Sequence, residues 1–361
     1  MSNNLTFGEY PVSGFNFENT ATVEGKIKKC PEKSSSTARR MILASLGLKA
    51  ESHSQGEKRS IPKYSVFDTH CHFEFMKKRI SKYVTLSECL ELDGEELGEK
   101  FLGCIVNFCQ PSEWSGGAEH DQLSSLLLSS ASDARVGIAI GCHPHFADQM
   151  TEQKWQQLES LLSKEGYPNL SVVAVGECGL DNSRKNSVPS IIQFEVFKRQ
   201  LMLALKHNLP LVLHIRDAMQ DGLEILESVG VPQDYPIHLH CFTSSLEVAN
   251  QWLTKYSECK IGFTGLITFP QSWQLREVVR EISLEKLLLE TDAPYFLPHG
   301  ASSRVHNCAF PGHVIHVAAK IAEIKGISLH KVLKQNIINS QNIYQQFFAK
   351  KLVEYFEYYD N

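Results

Sequence analysis

From Tyr64 onward, short runs of apolar and often β-branched residues alternate with longer segments in which apolar positions recur every three or four residues. The short runs have the length and composition of buried strands, and the longer segments have the period of amphipathic helices. The eight candidate strands are 64–68, 103–108, 136–141, 172–176, 210–214, 236–240, 259–264 and 287–290. Strands that alternate with helices are typical of parallel α/β folds.

Helical periodicity is clearest in two segments between strands and in two segments near the C-terminus. Segment 191–208 has apolar residues at 194, 197, 201 and 205, and segment 244–256 begins with Ser244 or Ser245, which are good helix caps. Segments 313–325 and 328–348 are expected to pack outside the strands as a closing layer. Eight strands with crossovers in roughly 285 residues predict a TIM-type (β/α)8 barrel.

The chain divides into a predicted N-terminal extension (1–62), a barrel (63–350) and a C-terminal tail (351–361). The extension is rich in Ser and Lys and shows no sustained period, so we expect it to be largely flexible and poorly ordered. Its segment 36–50 could form a short helix. Residues 1–63 carry 10 basic and 6 acidic side chains. A docking arm and a flexible leader are both open, and the dispersed charges favour the leader.

Composition narrows the class of protein. A net charge of −5 and a pI near 6.3 argue against a protein that coats nucleic acid by bulk electrostatics, although a local basic groove would not show in these totals. No apolar run predicts a membrane span, and the N-terminus lacks the features of a secretory signal. We therefore expect an intracellular protein, of the nucleus or cytoplasm, whose 10 cysteines are reduced.

The sequence FDTHCHF at 67–73 places two histidines one residue apart at the end of the first candidate strand. Residues i and i+2 of a strand point to the same face, so His70 and His72 can direct two imidazoles at one point. A single pair of this kind arises by chance in a chain with 15 histidines. A metal site at this point therefore requires further ligands.

Metal-binding side chains follow most of the predicted strands. In a (β/α)8 barrel the carboxyl ends of the strands meet at one mouth, where the active sites lie. The side chains of this kind are His70, His72, His143, His145, Glu177, His214, His240 and Asp292. The proline in GCHPH could by itself explain the turn that carries His143 and His145. Considered singly, each of the other six could be a buried core residue or a solvated surface residue. Their shared position at the ends of five strands favours a common site.

Four histidines and two carboxylates are the ligand mix of hydrolytic sites that hold two divalent cations. Imidazole suits Zn²⁺ and carboxylate suits Mg²⁺ or Mn²⁺, and we expect Mg²⁺ first. Glu177, near the middle of the strand order, is the candidate bridge between the cations. Asp292 is the candidate to bind one cation and to orient or deprotonate its water. Arg216 could bind a phosphate or carboxylate, or form a salt bridge with Asp217.

Two cysteines and one further histidine adjoin the candidate ligands in the sequence. Strand alternation is expected to turn Cys71 and Cys241 away from the ligand face, so that no cysteine is aimed inward. The same alternation places His238 on the ligand side but deeper in the barrel, and we exclude it from the site. A zinc site rich in thiolates is therefore the weaker alternative.

These residues resemble the TatD-related deoxyribonucleases of the metal-dependent hydrolase superfamily. The blocks DTHCHF, GCHPH, VGECGLD, VLHIRDA, HCFTSS and ETDAPYFLP stand in the order of that family, and the resemblance runs from about Tyr64 to Phe347. The segments SRKNSVPSIIQFEVFKRQL and IGFTGLITFPQSW look most like the animal branch, in which a TatD domain follows a long N-terminal extension. Ser244 stands where the family usually has Gly, which puts the grip on nucleic acid in doubt.

The resemblance implies a distorted TIM barrel and metal-dependent hydrolysis of phosphodiester bonds, typically from the 3′ end of DNA. It implies the ligand set His70, His72, Glu177, His214, His240 and Asp292. It also places His143 near the phosphate of the substrate. Nucleic acid is then the partner, with single strands or frayed ends as the expected substrates.

Two alternatives remain. One is a hydrolase of the same superfamily that acts on a small amide or ester, although such two-metal sites often carry a carboxylated lysine where Glu177 stands here. The other is a scaffold that binds nucleic acid or protein through the extension without catalysis, which the complete ligand set argues against. The sequence does not separate RNA from DNA, because no residue can be assigned to the 2′-hydroxyl.

Overall fold

The computed structural model describes residues 64–79, 99–115, 125–133, 135–163, 172–301, 303 and 307–349. The predicted extension at 1–62, with its candidate helix at 36–50, and the predicted tail at 351–361 lie outside these residues. Among the described helices, none is both long and apolar enough to cross a membrane.

Eight parallel strands follow one another around a single sheet in chain order. They are β1 (Tyr64–Cys71), β2 (Glu99–Phe108), β3 (Val136–Ile140), β4 (Val172–Asp181), β5 (Leu211–Arg216), β6 (Ile237–Leu239), β7 (Cys259–Phe263) and β8 (Leu287–Leu289). The chain after β8 returns to β1, where Asp292 N donates to His70 O at 2.9 Å and His72 N donates to Ala293 O at 2.7 Å. The predicted TIM-type barrel is confirmed.

The described helices are α1 (Phe73–Arg79), α2 (Ser125–Ser132), α3 (Glu152–Ser163), α4 (Ser190–His207), α5 (Met219–Val229), α6 (Leu246–Lys255), α7 (Trp273–Glu281), α8 (Val314–Lys325), α9 (Leu329–Ile343) and α10 (Gln345–Phe348). Short 3₁₀ turns lie at Pro111–Glu113, Pro144–Gln149, Gly265–Thr268, Leu284–Lys286 and Pro311–His313. Of the two predicted caps for α6, Ser245 is the residue that accepts from Val248 N.

Helix α9 forms hydrogen bonds with both strands at which the barrel closes, β8 and β1. Asn336 Oδ1 accepts from Leu289 N at 2.9 Å, and its Nδ2 donates to Phe67 O at 3.0 Å. Asn339 Nδ2 donates to Leu287 O at 2.6 Å. These amides satisfy backbone groups of β8 and β1, so α9 is the closing helix that the sequence predicted.

The prediction of one outer helix over 328–348 is wrong at its C-terminal end. The helix stops before Tyr344, and α10 turns aromatic side chains into the barrel. They pack with strand residues in one buried group, here called the floor cluster: Phe67, Ile105, Ala139, Val173, Ala174, Val212, Leu288, Ile337, Ile343, Tyr344, Phe347 and Phe348. Gly137 gives this group space, because a Cβ there would lie 3.0 Å from Phe347 Cδ2. The C-terminal segment therefore fills the end of the barrel opposite the mouth.

Strand β4 runs beyond its predicted end at 176, as far as Asp181. Glu177 consequently lies inside the strand, and a second carboxylate, Asp181, takes the position at the strand end. The two positions differ by four, an even number, so both carboxylates face the same side of β4.

Candidate metal centre

The six predicted ligands converge at the carboxyl ends of the strands. His70 and His72 come from the end of β1, and their Nε2 atoms lie 3.1 Å apart. His214 lies on β5, and His240 directly follows β6. All of these imidazoles point toward Glu177 on β4, which is only 2% exposed.

The two carboxylate oxygens of Glu177 face different histidines. Oε2 lies 3.3 Å from His72 Nε2 and 3.6 Å from His70 Nε2. Oε1 lies 2.8 Å from His214 Nδ1 and 3.5 Å from His240 Nε2. One carboxylate thus separates two groups of ring nitrogens.

Asp292 completes the group from the segment after β8. Its Oδ1 lies 3.2 Å from His72 Nε2 and 3.6 Å from His70 Nε2, and its Oδ2 lies 3.9 Å from His240 Nε2. Asp292 has a φ of 53° and donates its N–H to His70 O. The backbone bond that closes the barrel therefore also brings this carboxylate to the histidines of β1.

Three of the histidines have an acceptor at the ring nitrogen that faces away from the centre. His72 Nδ1 lies 3.3 Å from Asn107 O, and His214 Nε2 lies 3.2 Å from Asp181 Oδ2. His240 Nδ1 lies 3.1 Å from an oxygen of Glu290. In the neutral ring, an acceptor at the outer nitrogen holds the proton there and leaves a lone pair on the inner nitrogen, the arrangement found around metal-bound histidines.

Several inward-facing atoms are left without hydrogen bonds. Glu177 Oε2 and Asp292 Oδ1 are buried and have no hydrogen-bond partner. Buried acceptors of this kind are costly unless a proton or a cation satisfies them. The donor types also fit, because His70, His72 and Glu177 form one candidate cation cluster and His143, Glu177 and His214 form another. The residues present therefore fit divalent cations, and Glu177 belongs to both clusters.

The surroundings of Glu177 and His70 give both side chains the protonation state that cation binding needs. Burial alone would raise the pKa of Glu177, but the charge of His240 holds it well below its usual range. Burial and the neighbouring His240 lower the pKa of His70 to about 4. Near neutral pH the centre therefore offers an ionised carboxylate and a neutral imidazole, both ready to act as ligands.

His143 offers a hydrogen-bond donor to the centre. His145 N donates to His143 Nδ1 at 3.1 Å, so in the neutral ring the proton lies on Nε2. Burial and the nearby His214 hold the pKa of His143 well below its usual range, which keeps the ring neutral. Its Nε2 lies 3.7 Å from Glu177 Oε1, at the edge of the ligand group.

Arg216 ends β5 at the same mouth. Its guanidinium donates to Thr243 Oγ1 and lies 3.7 Å from Cys241 Sγ. Asp181 is its neighbour across the β4–β5 pair. The arginine is therefore held by the loop after β6 at the edge of the candidate centre.

The expectation that no cysteine faces the centre is wrong for Cys241. This residue lies beyond the end of β6 with a φ of 44°, so strand alternation does not apply to it. It forms a cluster with His240 and Asp292. Cys109 Sγ also lies 3.8 Å from His72 Nδ1, whereas Cys71 points to Ile105 O as expected. Burial raises the pKa of Cys241 and Cys109, so both stay thiols.

Sequence reasoning missed two carboxylates, Asp181 and Glu290. Asp181 Oδ2 lies 2.8 Å from His145 Nε2 as well as 3.2 Å from His214 Nε2. Asp181 could have been found from its even spacing from Glu177, provided that β4 was predicted to reach its observed end at 181. Glu290 lies two residues before Asp292, and nothing in its sequence context marks it as a partner of His240.

Comparison with known proteins gives the same picture of the barrel. The sequence model described as "TatD related DNase" matches residues 67–345. The chain belongs to this family. The family assignment agrees with the resemblance seen in the motifs and with the animal branch suggested there, because a human member is among its relatives.

Three members show the range of similarity. The human "3'-5' RNA nuclease TATDN2" is 38% identical over 277 residues, which is 77% of this chain and 35% of that protein. The Bacillus subtilis (strain 168) "metal-dependent hydrolase YabD" is 32% identical over 78% of this chain and 99% of its own length. The crystal structure of the Escherichia coli K12 TatD homolog YJJV superposes with a TM-score of 0.64 at 25% identity, covering 79% of this chain and 99% of that one. The chain spans about a third of the human relative.

Proposed function

We propose that this protein is a metal-dependent nuclease that hydrolyses phosphodiester bonds from the 3′ end of single-stranded nucleic acid. The family assignment and the named activity of the human relative, a 3′–5′ RNA nuclease, support the reaction and its polarity. The family description names DNA and the human relative names RNA, so both are proposed substrates. Base identity matters little in this proposal, since phosphate contacts carry no sequence information.

The observation that carries the proposal is the division of histidines between the two oxygens of Glu177. His70, His72 and Asp292 gather on the Oε2 side, and His214 and His240 gather on the Oε1 side. We assign these six residues as ligands of two divalent cations, with Mg²⁺ first and Mn²⁺ or Zn²⁺ as alternatives. The shared carboxylate would hold the two like charges close together.

Bound divalent cations supply an acidified water and charge stabilisation for the phosphoryl oxygens. The side chains around them position the reactants. Asp292 orients the attacking water and accepts its proton, because its Oδ1 lies at the ligand group without a hydrogen-bond partner. His143 donates its Nε2–H to a phosphoryl oxygen. Arg216, held by Thr243, offers its guanidinium fork to a phosphate of the strand.

The experiment measures nucleotide release from 3′- and 5′-labelled single strands of DNA and RNA. Metal-stripped protein is assayed alone and after addition of Mg²⁺, Mn²⁺ or Zn²⁺, with Glu177→Ala alongside. We expect shortening from the 3′ end that requires metal and falls about 10³-fold in the variant, because a central charged group of the site is lost.

A matched control is Glu195→Ala, which removes a carboxylate that is 68% exposed on α4. This variant should retain full activity. Absence of cleavage with every metal, or equal cleavage by Glu177→Ala, would refute the proposed function and would favour a small-substrate hydrolase.

A further inference from the structure

A second polar layer lies below the candidate centre, between it and the floor cluster. It consists of His238, Glu290 and the hydroxyl of Tyr344, whose ring belongs to the floor cluster, and none of these groups has a role in the proposed reaction. All three are fully buried, with 0% exposure. Three polar side chains at this depth need a structural or functional reason, because burial of unsatisfied polar groups is costly.

The layer is a continuous series of contacts that starts at His240. His240 Nδ1 lies 3.1 Å from Glu290 Oε1, and His238 Nε2 lies 2.8 Å from Glu290 Oε2. Both contacts have the distance of a hydrogen bond but not its angle. His238 Nδ1 then lies 2.7 Å from the Tyr344 hydroxyl. The series thus connects a proposed ligand to the C-terminal segment.

The protein backbone is shaped to hold Glu290 in this position. Cys241 N donates to Glu290 Oε1 at 2.6 Å. On the other side lies Gly262, where a Cβ would come within 2.5 Å of both Glu290 Oε2 and His238 Nε2. The absence of a side chain at 262 therefore makes room for the carboxylate and the imidazole together.

The proton positions along the series agree with one another. The Tyr344 hydroxyl can donate to His238 Nδ1, which places the proton of the neutral His238 ring on Nε2, facing Glu290. The carboxylate of Glu290 lies within 3.1 Å of both rings, and its negative charge favours a proton on His238 Nε2 and on His240 Nδ1. In the neutral ring of His240, Nε2 then keeps its lone pair toward Glu177 and Asp292. One set of proton positions is compatible with every contact in the series.

We infer that Glu290, His238 and Tyr344 are positioning residues that fix the tautomer of His240 and couple the packing of the C-terminal segment to cation binding. The inference rests on the proposed metal centre and adds residues that lie outside it. Coupling of this kind is reciprocal, so a bound cation also tightens the C-terminal segment.

The first test is Mn²⁺ affinity, measured by calorimetry on metal-stripped full-length protein. Glu290→Gln should weaken binding about 10- to 100-fold, the usual cost of losing a partner of a metal-bound histidine. Tyr344→Phe should weaken it about fivefold, the effect of one lost hydrogen bond. The matched control is Tyr235→Phe, which likewise removes a buried tyrosine hydroxyl, in this case one that donates to Leu209 O at 2.7 Å. The control should bind Mn²⁺ as the wild type does.

The second measurement is hydrogen exchange of the backbone amides at 344–349 with and without Mn²⁺. We expect Mn²⁺ to slow exchange there in the wild type and in Tyr235→Phe, and to have no such effect in Glu290→Gln. This readout does not depend on catalysis, and a merely structural role of the layer would not produce it.

The results of these two measurements distinguish the positioning role of the polar layer from the proposed function. A wild type that binds no Mn²⁺ would contradict the proposed function. A wild type that binds Mn²⁺, with Glu290→Gln and Tyr344→Phe binding equally well, would overturn the positioning role and leave the proposed function intact. A Tyr344→Phe variant that loses stability to the same extent as Tyr235→Phe without a change in affinity would limit Tyr344 to packing.

Discussion

The two ends of the barrel are built from the same eight strands but differ in chemistry. At the mouth, Glu177 and Asp292 are buried with oxygens that have no hydrogen-bond partner. At the floor, aromatic residues of the C-terminal segment pack against apolar side chains, and Phe67 and Phe348 have ring centroids 5.2 Å apart. The floor satisfies its own side chains, whereas the mouth requires a ligand. We therefore expect substitutions at the floor to affect stability and substitutions at the mouth to affect ligand binding.

The largest change should come from a cavity in the floor cluster. Ile105→Ala removes a fully buried side chain and should lower the free energy of unfolding by about 2–5 kcal/mol. Urea unfolding of the metal-free protein measures this loss, and the more conservative Ile105→Val should cost only about 0.5–1.5 kcal/mol. Mn²⁺ affinity of the folded variants should change little, by less than the loss of about fivefold expected for Tyr344→Phe, because the contacts of Glu290 with His238 and His240 remain. A larger loss of affinity would show that the two ends are not separate in function.

Acid should weaken cation binding at the mouth over a defined pH range. Burial alone would lower the pKa of His214, but hydrogen bonds to Asp181 and Glu177 raise it to about 9 in the metal-free protein. A cation needs the neutral ring, so binding below this pKa releases a proton. The pKa values of His72 and His240 are raised as well, so apparent Mn²⁺ affinity should fall at least about tenfold per pH unit below pH 9, or at least about 100-fold from pH 9 to pH 7.

Calorimetry in buffers of different ionisation enthalpy checks the same point, because it counts the protons released. His214→Gln should bind more weakly and should release fewer protons. An affinity that does not change between pH 7 and pH 9 would contradict the assignment of His214 as a ligand.

A smaller effect should follow from Asp181→Asn, which keeps the shape of the side chain that holds His214. The amide is a weaker acceptor for His214 Nε2, so at pH 9 and above, where proton competition at His214 is small, Mn²⁺ affinity should fall about tenfold, at the lower end of the range for such partners. Urea unfolding of the metal-free variant is compared with that of Ile105→Ala. The contrast between the two ends of the barrel is supported if Asp181→Asn lowers Mn²⁺ affinity and loses less free energy of unfolding than Ile105→Ala. It is contradicted if Asp181→Asn loses more free energy of unfolding than Ile105→Ala.

The barrel and the convergence of the candidate ligands could be predicted because both depend on local patterns. Apolar runs predicted the eight strands, and His70, His72, Glu177, His214, His240 and Asp292 followed from reading what lies at each strand end. The carboxyl ends of parallel strands must meet at one edge, so position in sequence determines proximity. No knowledge of side-chain packing was needed for this step.

The floor cluster and the outer partners of the ligands could not be predicted in the same way. Tyr344 reaches His238 across more than 100 residues of sequence, and no periodicity in 328–348 marks the break before α10. Cys241 faces the centre because of a positive φ beyond the strand end, where alternation no longer holds. These features depend on tertiary packing and on backbone conformation at single residues, which the sequence pattern does not carry.

The most direct test of the central claim is a titration of metal-stripped protein with Mn²⁺ followed by electron paramagnetic resonance. Two ions held on either side of one carboxylate are coupled through it. We expect two Mn²⁺ to bind per chain and to give the spectrum of a spin-coupled pair, and we expect Glu177→Ala to lose that spectrum. Binding of fewer than two ions, or a spectrum of independent ions in the wild type, would contradict a bridged centre at the mouth of the barrel.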